Sequence, residues 1–403
     1  MGQKIDNPDV IVIGGGPSGS RVAEKLAAVG TSVLVIEKKK DLHLPVCCTG
    51  IISSQCVEEF KIPRSLIIRE YREANVFTPE YRCIKLSRSE VQACSIRRGA
   101  FDLWMAEQAQ NKGALYHFGS RAKQAAVSDS GVIVTVDEDG NEYQIKAQAL
   151  VIAAGYNSKI TADLGFRVPA DSTLGIQVNT GIGDLKEIEV YLGQEIAPAF
   201  FGWAVPLSEG KARVGLMTRH DPKIYLMKLL SHLKANGKIV YEVPETVCRS
   251  IPLVPLRRTY SDRVLLVGDA AGQNKPITGG GIYFGLLAAD IAADCLIKAL
   301  QEDNLSALRL KDYQKNWQKA IGKDIKLGRM ARQLYERLND KQIEKILEIA
   351  DKEGIIEEIL NDKEITFDWH GRVVLELVAR KTFERISRIS RMPFKMKNFR
   401  KEI

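Results

Sequence analysis

A glycine-rich turn near the start of the chain constrains the fold more than any other feature. It has the letters GGGPSG at residues 14–19, follows the apolar stretch from Asp9 to Ile13, and precedes a helical stretch from Ser20 to Val29. A second strand-like stretch runs from Thr31 to Glu37. This order predicts a strand, a tight turn, a helix and a parallel strand, which is the opening unit of an α/β nucleotide-binding domain.

The residue types in this turn suit a pyrophosphate. Its glycines permit a tight turn and close approach of the anion, whose charge would meet the amide-rich start of the helix. Glu37 ends the second strand, where a carboxylate can accept hydrogen bonds from ribose hydroxyls. A glycine turn that only packs a helix against a sheet is the alternative. The predicted cofactor-binding residues here are Gly14, Gly16, Pro17, Ser18, Gly19, Glu37 and Lys38.

A later apolar stretch, from Val264 to Val267, also predicts a strand, and Gly268 and Asp269 follow it directly. An aspartate at this position can accept a hydrogen bond from a sugar-alcohol hydroxyl. Because a ribityl chain distinguishes a flavin dinucleotide from a nicotinamide dinucleotide, this favours FAD over NAD. The same aspartate can also cap the following helix, and the two roles are compatible.

A third segment, PITGGGI at residues 276–282, forms a glycine-rich turn before a helix predicted over about 281–300. Its consecutive amides can face the electron-rich edge of a reduced flavin ring and favour the anionic state. A tight packing corner is the alternative. We predict that Gly280 acts in catalysis. The predicted cofactor-binding residues of the last two segments are Gly268, Asp269, Pro276, Gly279, Gly280, Gly281 and Ile282.

At this point the chain resembles a known family, the FAD-dependent geranylgeranyl reductases, within the p-hydroxybenzoate hydroxylase-like flavoproteins. The resemblance covers about residues 8–300, and the helical region beyond adds little. The stretches that carry it are GGGPSG at 14–19, PVCCTG at 45–50, RGAFD at 98–102, FFGWAVPL at 200–207 with VG at 214–215, and VGDAAGQNKPITGGGI at 267–282.

The expected architecture is of the α/β class with α+β elements. It comprises a Rossmann-like FAD-binding domain at residues 1–165 and 256–300, an inserted mainly β substrate domain at 166–255, and a helical C-terminal region with a basic tail at 301–403. The resemblance implies reduction of isolated carbon-carbon double bonds in polyprenyl chains, carried by a membrane lipid, a quinone tail or a prenyl diphosphate.

Two adjacent cysteines, Cys47 and Cys48, stand within PVCCTG. A metal clasp would need about four Cys or His ligands, and the histidines form no spaced pair. A bond between neighbours whose Cα atoms are about 3.8 Å apart would be strained. Packing as small buried side chains remains an alternative. The resemblance places Cys48 beside the flavin ring, which implies that its thiol supplies or relays the proton that alkene reduction requires. Cys47 would be structural.

The resemblance assigns several more residues. Arg98 would lie by the cofactor pyrophosphate, and an apolar tunnel would receive the substrate, although an ordinary buried strand explains the same letters. The further cofactor-binding residues are Cys48, Thr49, Gly50, Arg98, Ala154 and Gly155, and the substrate residues are Phe201, Trp203 and Pro206.

Two other functions remain open. FGWAVP is similar to the halogenase pattern W-x-W-x-I-P with Phe201 in place of the first Trp, so a flavin monooxygenase or halogenase is one alternative. A flavin or lipid carrier without turnover is the other. Because no second G-x-G-x-x-G unit for a pyridine nucleotide follows, we expect the electron donor to be a ferredoxin-like protein, a reduced flavin or a deazaflavin. NAD(P)H remains a further candidate.

The net charge of +8 is unevenly placed, because residues 380–403 hold nine Lys or Arg against two Glu. Basic and apolar side chains alternate there, which suits an anionic membrane surface or, alternatively, a solvated helix end. No nucleic-acid-binding motif accompanies the charge, so nucleic acid is not expected. Seven cysteines without paired spacing indicate reduced thiols. With no signal-like start and no window of about 18 apolar residues, we expect a cytoplasmic protein, peripheral at the membrane if the tail binds it.

Overall fold

A computed structural model describes residues 7–43, 46–167, 171–208, 210–240, 245–362 and 365–369. The strands are β1 (Val10–Ile13), β2 (Val33–Glu37), β3 (Ile51–Ser53), β4 (Ile67–Tyr71), β5 (Glu73–Phe77), β6 (Cys83–Ser87), β7 (Ala93–Ile96), β8 (Leu115–Phe118), β9 (Ser120–Ser128), β10 (Gly131–Glu138), β11 (Asn141–Ala147), β12 (Ala149–Ile152), β13 (Ser172–Ile182), β14 (Ile188–Leu192), β15 (Phe201–Pro206), β16 (Lys211–Thr218), β17 (Ile239–Val240), β18 (Val247–Pro252), β19 (Tyr260–Ser261) and β20 (Val264–Leu266).

The helices are α1 (Pro17–Ala27), α2 (Ser54–Glu59), α3 (Arg98–Asn111), α4 (Lys159–Asp163), α5 (Pro222–Ala235), α6 (Ile282–Gln301), α7 (Ala307–Trp317), α8 (Lys323–Tyr335), α9 (Asp340–Lys352) and α10 (Ile355–Asn361). Within the described ranges, no helix is both long and apolar enough to cross a membrane. The basic stretch at 380–403 lies outside the described residues.

The predicted opening unit is confirmed as β1, α1 and β2. Pro17 begins α1, where a missing backbone N–H costs nothing because the first helical amides have no partner within the helix. Gly354 separates α9 from α10 with a φ of +69°. Helix α5 was not expected in the mainly β region.

The described residues form two compact units. Unit 1 lies within 1–46, 98–172 and 251–323. Its main sheet has the order β19-β20-β12-β1-β2-β8, in which only β19 runs antiparallel to its neighbour. The chain winds outward from β1 to β2 and β8, and then restarts on the other side of β1 with β12 and β20. Such a switch point opens a ligand crevice at the carboxyl ends of β1 and β12.

Both faces of this sheet are covered. Alternate residues of β1 and β2, including Ile11 and Leu34, pack with Val132 and Val134 of the three-stranded β9–β11 sheet. On the other side, α1 packs against α3 and α6. Each fully buried Val, Leu or Ile contributes about 1.5–3 kcal/mol relative to exposure, so this layering fixes the position of the two carboxyl ends.

Unit 2 lies within 47–97, 173–250 and 324–403. Its larger sheet has the order β17-β13-β16-β15-β14-β5-β6, with β18 also paired to β13. One face packs on α5 through residues such as Val178, Ala204, Val214 and Leu229. A small β3-β7-β4 sheet and helices α2, α8, α9 and α10 complete the unit. The α/β class is confirmed, and the exact domain boundaries remain a prediction.

Candidate functional site

The glycine turn after β1 packs directly on the end of β12. Gly14 has a φ of +102°, and a Cβ built on it would lie 2.4 Å from the carbonyl oxygen of Ala153. A Cβ on Gly19 would lie 1.9 Å from the Gly14 oxygen. Both contacts are shorter than any real Cβ contact, so only glycine allows the turn and α1 to approach each other this closely.

The start of α1 is open in the same region. Gly16 is the N-cap residue, and no side chain among the described residues caps the helix. Apart from chain neighbours, no described atom lies within 4 Å of a Cβ built on Gly16 or on Gly155. Unpaired amides and free space beside a positive helix end suit an anionic group such as a pyrophosphate.

Glu37 is tied to this turn. Its carboxylate is buried and accepts hydrogen bonds from the Gly15 amide over 2.6 Å and from the Lys39 amide over 2.9 Å. Each carboxylate oxygen can still accept a second hydrogen bond. The structure therefore holds the predicted ribose acceptor at the turn, while Lys38 beside it is exposed.

The three sequence-distant segments meet in unit 1. A Cβ built on Gly268 would lie 2.6 Å from Ser18 Oγ, so the second segment touches the first. A Cβ built on Gly281 would lie 2.9 Å from Asp269 Oδ1, so the third touches the second. Asn274 Nδ2 donates to the same Asp269 oxygen over 3.2 Å. These contacts join residues that are 250 positions apart in the chain, such as Ser18 and Gly268, into one continuous surface.

The TGGG turn presents its backbone before α6. The amide of Gly279 donates to the Lys275 oxygen over 2.8 Å, and the Lys275 amide donates to the Gly280 oxygen over 3.1 Å. The turn residues 279–282 are half-buried, Pro276 is buried, and no described side chain caps the helix that starts at Ile282. The amide groups at the start of α6 are therefore available to a ligand.

Arg98 starts α3, and its Nη2 atom donates to both carboxylate oxygens of Asp102 at 2.7 and 3.0 Å. The two side chains are only 11% and 6% exposed, so the carboxylate compensates a nearly buried guanidinium. Ala154 and Gly155 follow β12, where Gly155 has a φ of +79°. All of the predicted cofactor-binding residues except those at 48–50 thus lie in unit 1.

The thiol loop, residues 47–50, belongs to unit 2. Gln177 Nε2 donates to the Cys48 oxygen over 3.0 Å, and Arg213 Nη1 donates to the Thr49 oxygen over 2.7 Å. The Gly50 amide donates to Cys48 Sγ over 3.3 Å, with a Gly50 φ of +72°. Cys48 is a free, half-buried thiol on a loop anchored to strands β13 and β16.

Cys47 is differently placed. Its thiol donates to the backbone oxygens of Val247 at 3.3 Å and Gly175 at 3.6 Å. Burial raises the pKa of the Cys47 thiol to about 11, so it stays protonated at neutral pH. These contacts support the structural role expected for Cys47.

The strand register places Trp203 on the sheet face that carries the thiol loop. Trp203 pairs with Gly215, which pairs with Gln177. A Cβ on Gly215 would lie 2.5 Å from the Trp203 ring, so glycine makes room for the indole. The ring of Phe201 lies 6.0 Å away, whereas Pro206, by strand alternation, belongs to the opposite face. The buried indole N–H of Trp203 has no acceptor among the described residues.

Three residues that the sequence analysis did not select belong to these surfaces: Gln177, Arg213 and Lys275. Gln177 and Arg213 stand in strands over 120 residues from the loop that they hold, and nothing in the local letters marks them. A signal for Lys275 was present, because polar QNK separates an apolar strand from the glycine turn.

The chain is similar to known proteins along most of its length. Residues 9–354 match the family described as lycopene cyclase protein. Digeranylgeranylglycerophospholipid reductase 1 of Methanopyrus kandleri is 30% identical over 384 residues, which cover 90% of this chain and 99% of the reductase.

Solved structures share the fold. A geranylgeranyl bacteriochlorophyll reductase-like protein of Thermoplasma acidophilum has a TM-score of 0.83 and 23% identity, with 96% of this chain and 98% of that chain covered. The halogenase PltM in complex with phloroglucinol and FAD has a TM-score of 0.68 and 15% identity, with 92% and 86% covered. The reductase-like structure is therefore the more similar of the two.

Proposed function

This chain belongs to the FAD-dependent geranylgeranyl reductases, within the flavoprotein family described as lycopene cyclase protein, and on that premise we propose that it saturates the double bonds of a digeranylgeranylglycerophospholipid. The observation that carries the proposal is the match to a reductase of that lipid over 99% of the reductase's length. The enzyme is an oxidoreductase, and its cofactor is FAD.

The residues of unit 1 fit FAD. The uncapped backbone amides at the start of α1, beside Gly16, would hold the pyrophosphate. Glu37 would accept hydrogen bonds from a ribose, and Asp269 would accept one from the ribityl chain.

The backbone amides of Gly281 and Ile282, at the uncapped start of α6, would lie along the ring edge, because the Gly279 amide already donates to the Lys275 oxygen. When bound, FAD supplies the electron pair for the reduction. The protein's part is to orient the ring and to hold charge at its edge.

We assign Cys48 as the donor of the proton that alkene reduction requires. Saturating an alkene adds two hydrogens, and one of them can arrive as a proton from an acid near the reacting carbon. As the proton leaves, negative charge develops on the sulfur. The Gly50 amide, 3.3 Å from Sγ, is placed to stabilise that charge.

Phe201 and Trp203 are the proposed contacts for the prenyl chain. Such a chain offers almost no polar groups, so its binding depends on apolar burial at about 25 cal/mol per Å². Both rings lie on the sheet face that carries the thiol loop. A role for Pro206 stays a prediction, because that residue belongs to the other face.

The enzyme requires an electron donor, and the candidates remain a ferredoxin-like protein, a reduced flavin, a deazaflavin and NAD(P)H. Docking to an anionic membrane through residues 380–403 also remains a prediction, since that stretch lies outside the described residues. Each donor can be tested by the rate at which it bleaches the FAD absorbance of the purified protein.

The deciding experiment uses the full chain with bound FAD, reduced chemically without oxygen and incubated with digeranylgeranylglycerophospholipid. Mass spectrometry should show gains in steps of two hydrogens, while the fully saturated lipid should be returned unchanged. Unchanged lipid with persistently reduced FAD would overturn the proposal.

An oxygen-containing arm distinguishes the alternatives. Stoichiometric oxygen consumption with a hydroxylated or halogenated aromatic product would favour a monooxygenase or halogenase. Tight FAD binding with no product from any donor would favour a carrier.

A further inference from the structure

Three consecutive polar side chains are buried between strand β20 and the TGGG turn. Gln273, Asn274 and Lys275 are 0%, 2% and 6% exposed. Burying polar groups costs free energy unless they are hydrogen-bonded or their charge is compensated, so three such residues in succession indicate that this segment has a specific role at the predicted ring-binding turn.

The first two side chains have structural tasks. Gln273 accepts from the Gly268 amide over 2.8 Å and donates to the hydroxyl of Tyr313 over 2.8 Å, which in turn donates to the oxygen of Leu266. This fixes the end of β20. Asn274 holds Asp269, as described above.

The side chain of Lys275 lies across the glycine turn. A Cβ built on Gly280 would lie 3.0 Å from Lys275 Cε and 3.4 Å from Nζ. The backbone of Lys275 is hydrogen-bonded to Gly279 and Gly280, so the side chain starts from a fixed position. The turn thus has the carboxylate of Asp269 against Gly281 and the ammonium of Lys275 against Gly280.

We propose that the ammonium group of Lys275 faces the electron-rich edge of the flavin ring and stabilises the negative charge that the ring gains on reduction. This inference rests on the proposed FAD-dependent function and adds a full positive charge where only backbone amides were assigned. A fixed unit charge in a site of low dielectric acts more strongly than the partial charges of amides. Lys275 would thus set the reduction potential of the ring, while FAD supplies the electron pair and Cys48 the proton.

The test compares Lys275→Gln and Lys275→Arg with Lys298→Gln, which makes the same change at an exposed site of α6 in the same unit. Each protein is titrated with FAD, its reduction potential is measured, and sulfite is added. Sulfite donates its lone pair to the oxidised ring and leaves the ring negatively charged, so its dissociation constant reports charge stabilisation without any turnover.

We expect Lys275→Gln to keep FAD but to weaken sulfite binding by about ten-fold or more, with a more negative reduction potential. Lys275→Arg and Lys298→Gln should stay close to the wild type. A yellow Lys275→Gln protein with unchanged sulfite affinity and potential would overturn the inference, and so would an arginine variant that behaves like the glutamine variant.

The wild type provides a test that does not depend on any variant folding. Its reduced FAD should be in the anionic form at mildly acidic pH, and a neutral reduced flavin would contradict the proposed charge. A wild type that holds no FAD would overturn the proposed function itself. A wild type that reduces lipid while Lys275→Gln matches it in every flavin property would overturn only the role of Lys275.

Discussion

Arg213 donates a hydrogen bond from Nη1 to the carbonyl oxygen of Thr49 over 2.7 Å, while its Nε atom donates to Asn179 Oδ1 over 2.9 Å. The guanidinium is thereby held by strand β13 and in turn holds the backbone beside Cys48. A charge-assisted hydrogen bond to a backbone oxygen contributes about 1.5–3 kcal/mol, enough to fix a short loop.

Replacing Arg213 by Met should loosen the thiol loop. We expect turnover to fall several-fold with little change in KM for the lipid, because the loop positions the proton donor and does not supply the apolar grip. Alkylation of Cys48, followed by peptide mass spectrometry, should become faster. Lys211→Met, at the exposed start of the same strand, is the control. Equal alkylation and turnover in the two variants would refute the positioning role.

Replacing Cys48 by Ala should lower turnover about 100-fold or more, since a positioned general acid contributes that much, while FAD stays bound. The flavin spectrum and single-turnover kinetics with the lipid would measure the two effects. Cys47→Ala is the matched control, because that thiol donates only to backbone oxygens and should affect stability by about 1 kcal/mol. Full turnover in Cys48→Ala would remove the thiol from the mechanism.

Alanine should have different effects on stability at two glycines of the first turn. In Gly19→Ala the new Cβ meets the Gly14 oxygen, so we expect a loss of about 1–3 kcal/mol in the free energy of unfolding. In Gly16→Ala the Cβ enters open space at an ordinary φ of −73°, so the apoprotein should unfold as the wild type does.

FAD titration completes the comparison. Gly16→Ala should bind FAD about ten-fold or more weakly, because the methyl group occupies the approach of the pyrophosphate. Wild-type affinity in Gly16→Ala would show that the pyrophosphate does not lie at this turn.

Gly215→Ala tests the packing beneath the indole. Its Cβ would lie 2.5 Å from both the Trp203 ring and the Ile176 oxygen. Moving the indole relieves only the first contact, and the second requires a shift of strand β13, so we expect a loss of about 1–3 kcal/mol in the free energy of unfolding and a shift in tryptophan fluorescence. Denaturant unfolding measures this, with Lys211→Ala as the control, and an unchanged midpoint would show that both neighbours can move at little cost.

The sequence predicted the parts of this protein whose physics is local. The opening unit follows from hydrophobic period and turn chemistry, and the contact between Ser18 and Gly268 follows once parallel strands are known to end at one edge. Helix α5 was not predicted, because its four buried leucines alternate with exposed Ile224, Met227 and lysines, so the sequence shows no clear apolar face.

Tertiary contacts explain the remaining differences. The bonds from Gln177 and Arg213 to residues 48 and 49 depend on the register of β13 against β16, which individual residues do not specify. The sequence does allow one further prediction. Because successive side chains of a strand point to opposite faces of the sheet, Trp203 and Pro206, three positions apart, must lie on opposite faces.

The interleaving of the two units along the chain also determines when each can fold during synthesis. Strand β1 is made first, yet its neighbour β12 starts at Ala149 and β20 ends only at Leu266. At ribosomal speeds of about 5–20 residues per second, β1 waits tens of seconds for the sheet to be completed. During that time its apolar residues and unpaired backbone are exposed to other nascent chains. Expression at low temperature or with chaperones should therefore raise the yield of this protein more than that of a chain whose units are consecutive.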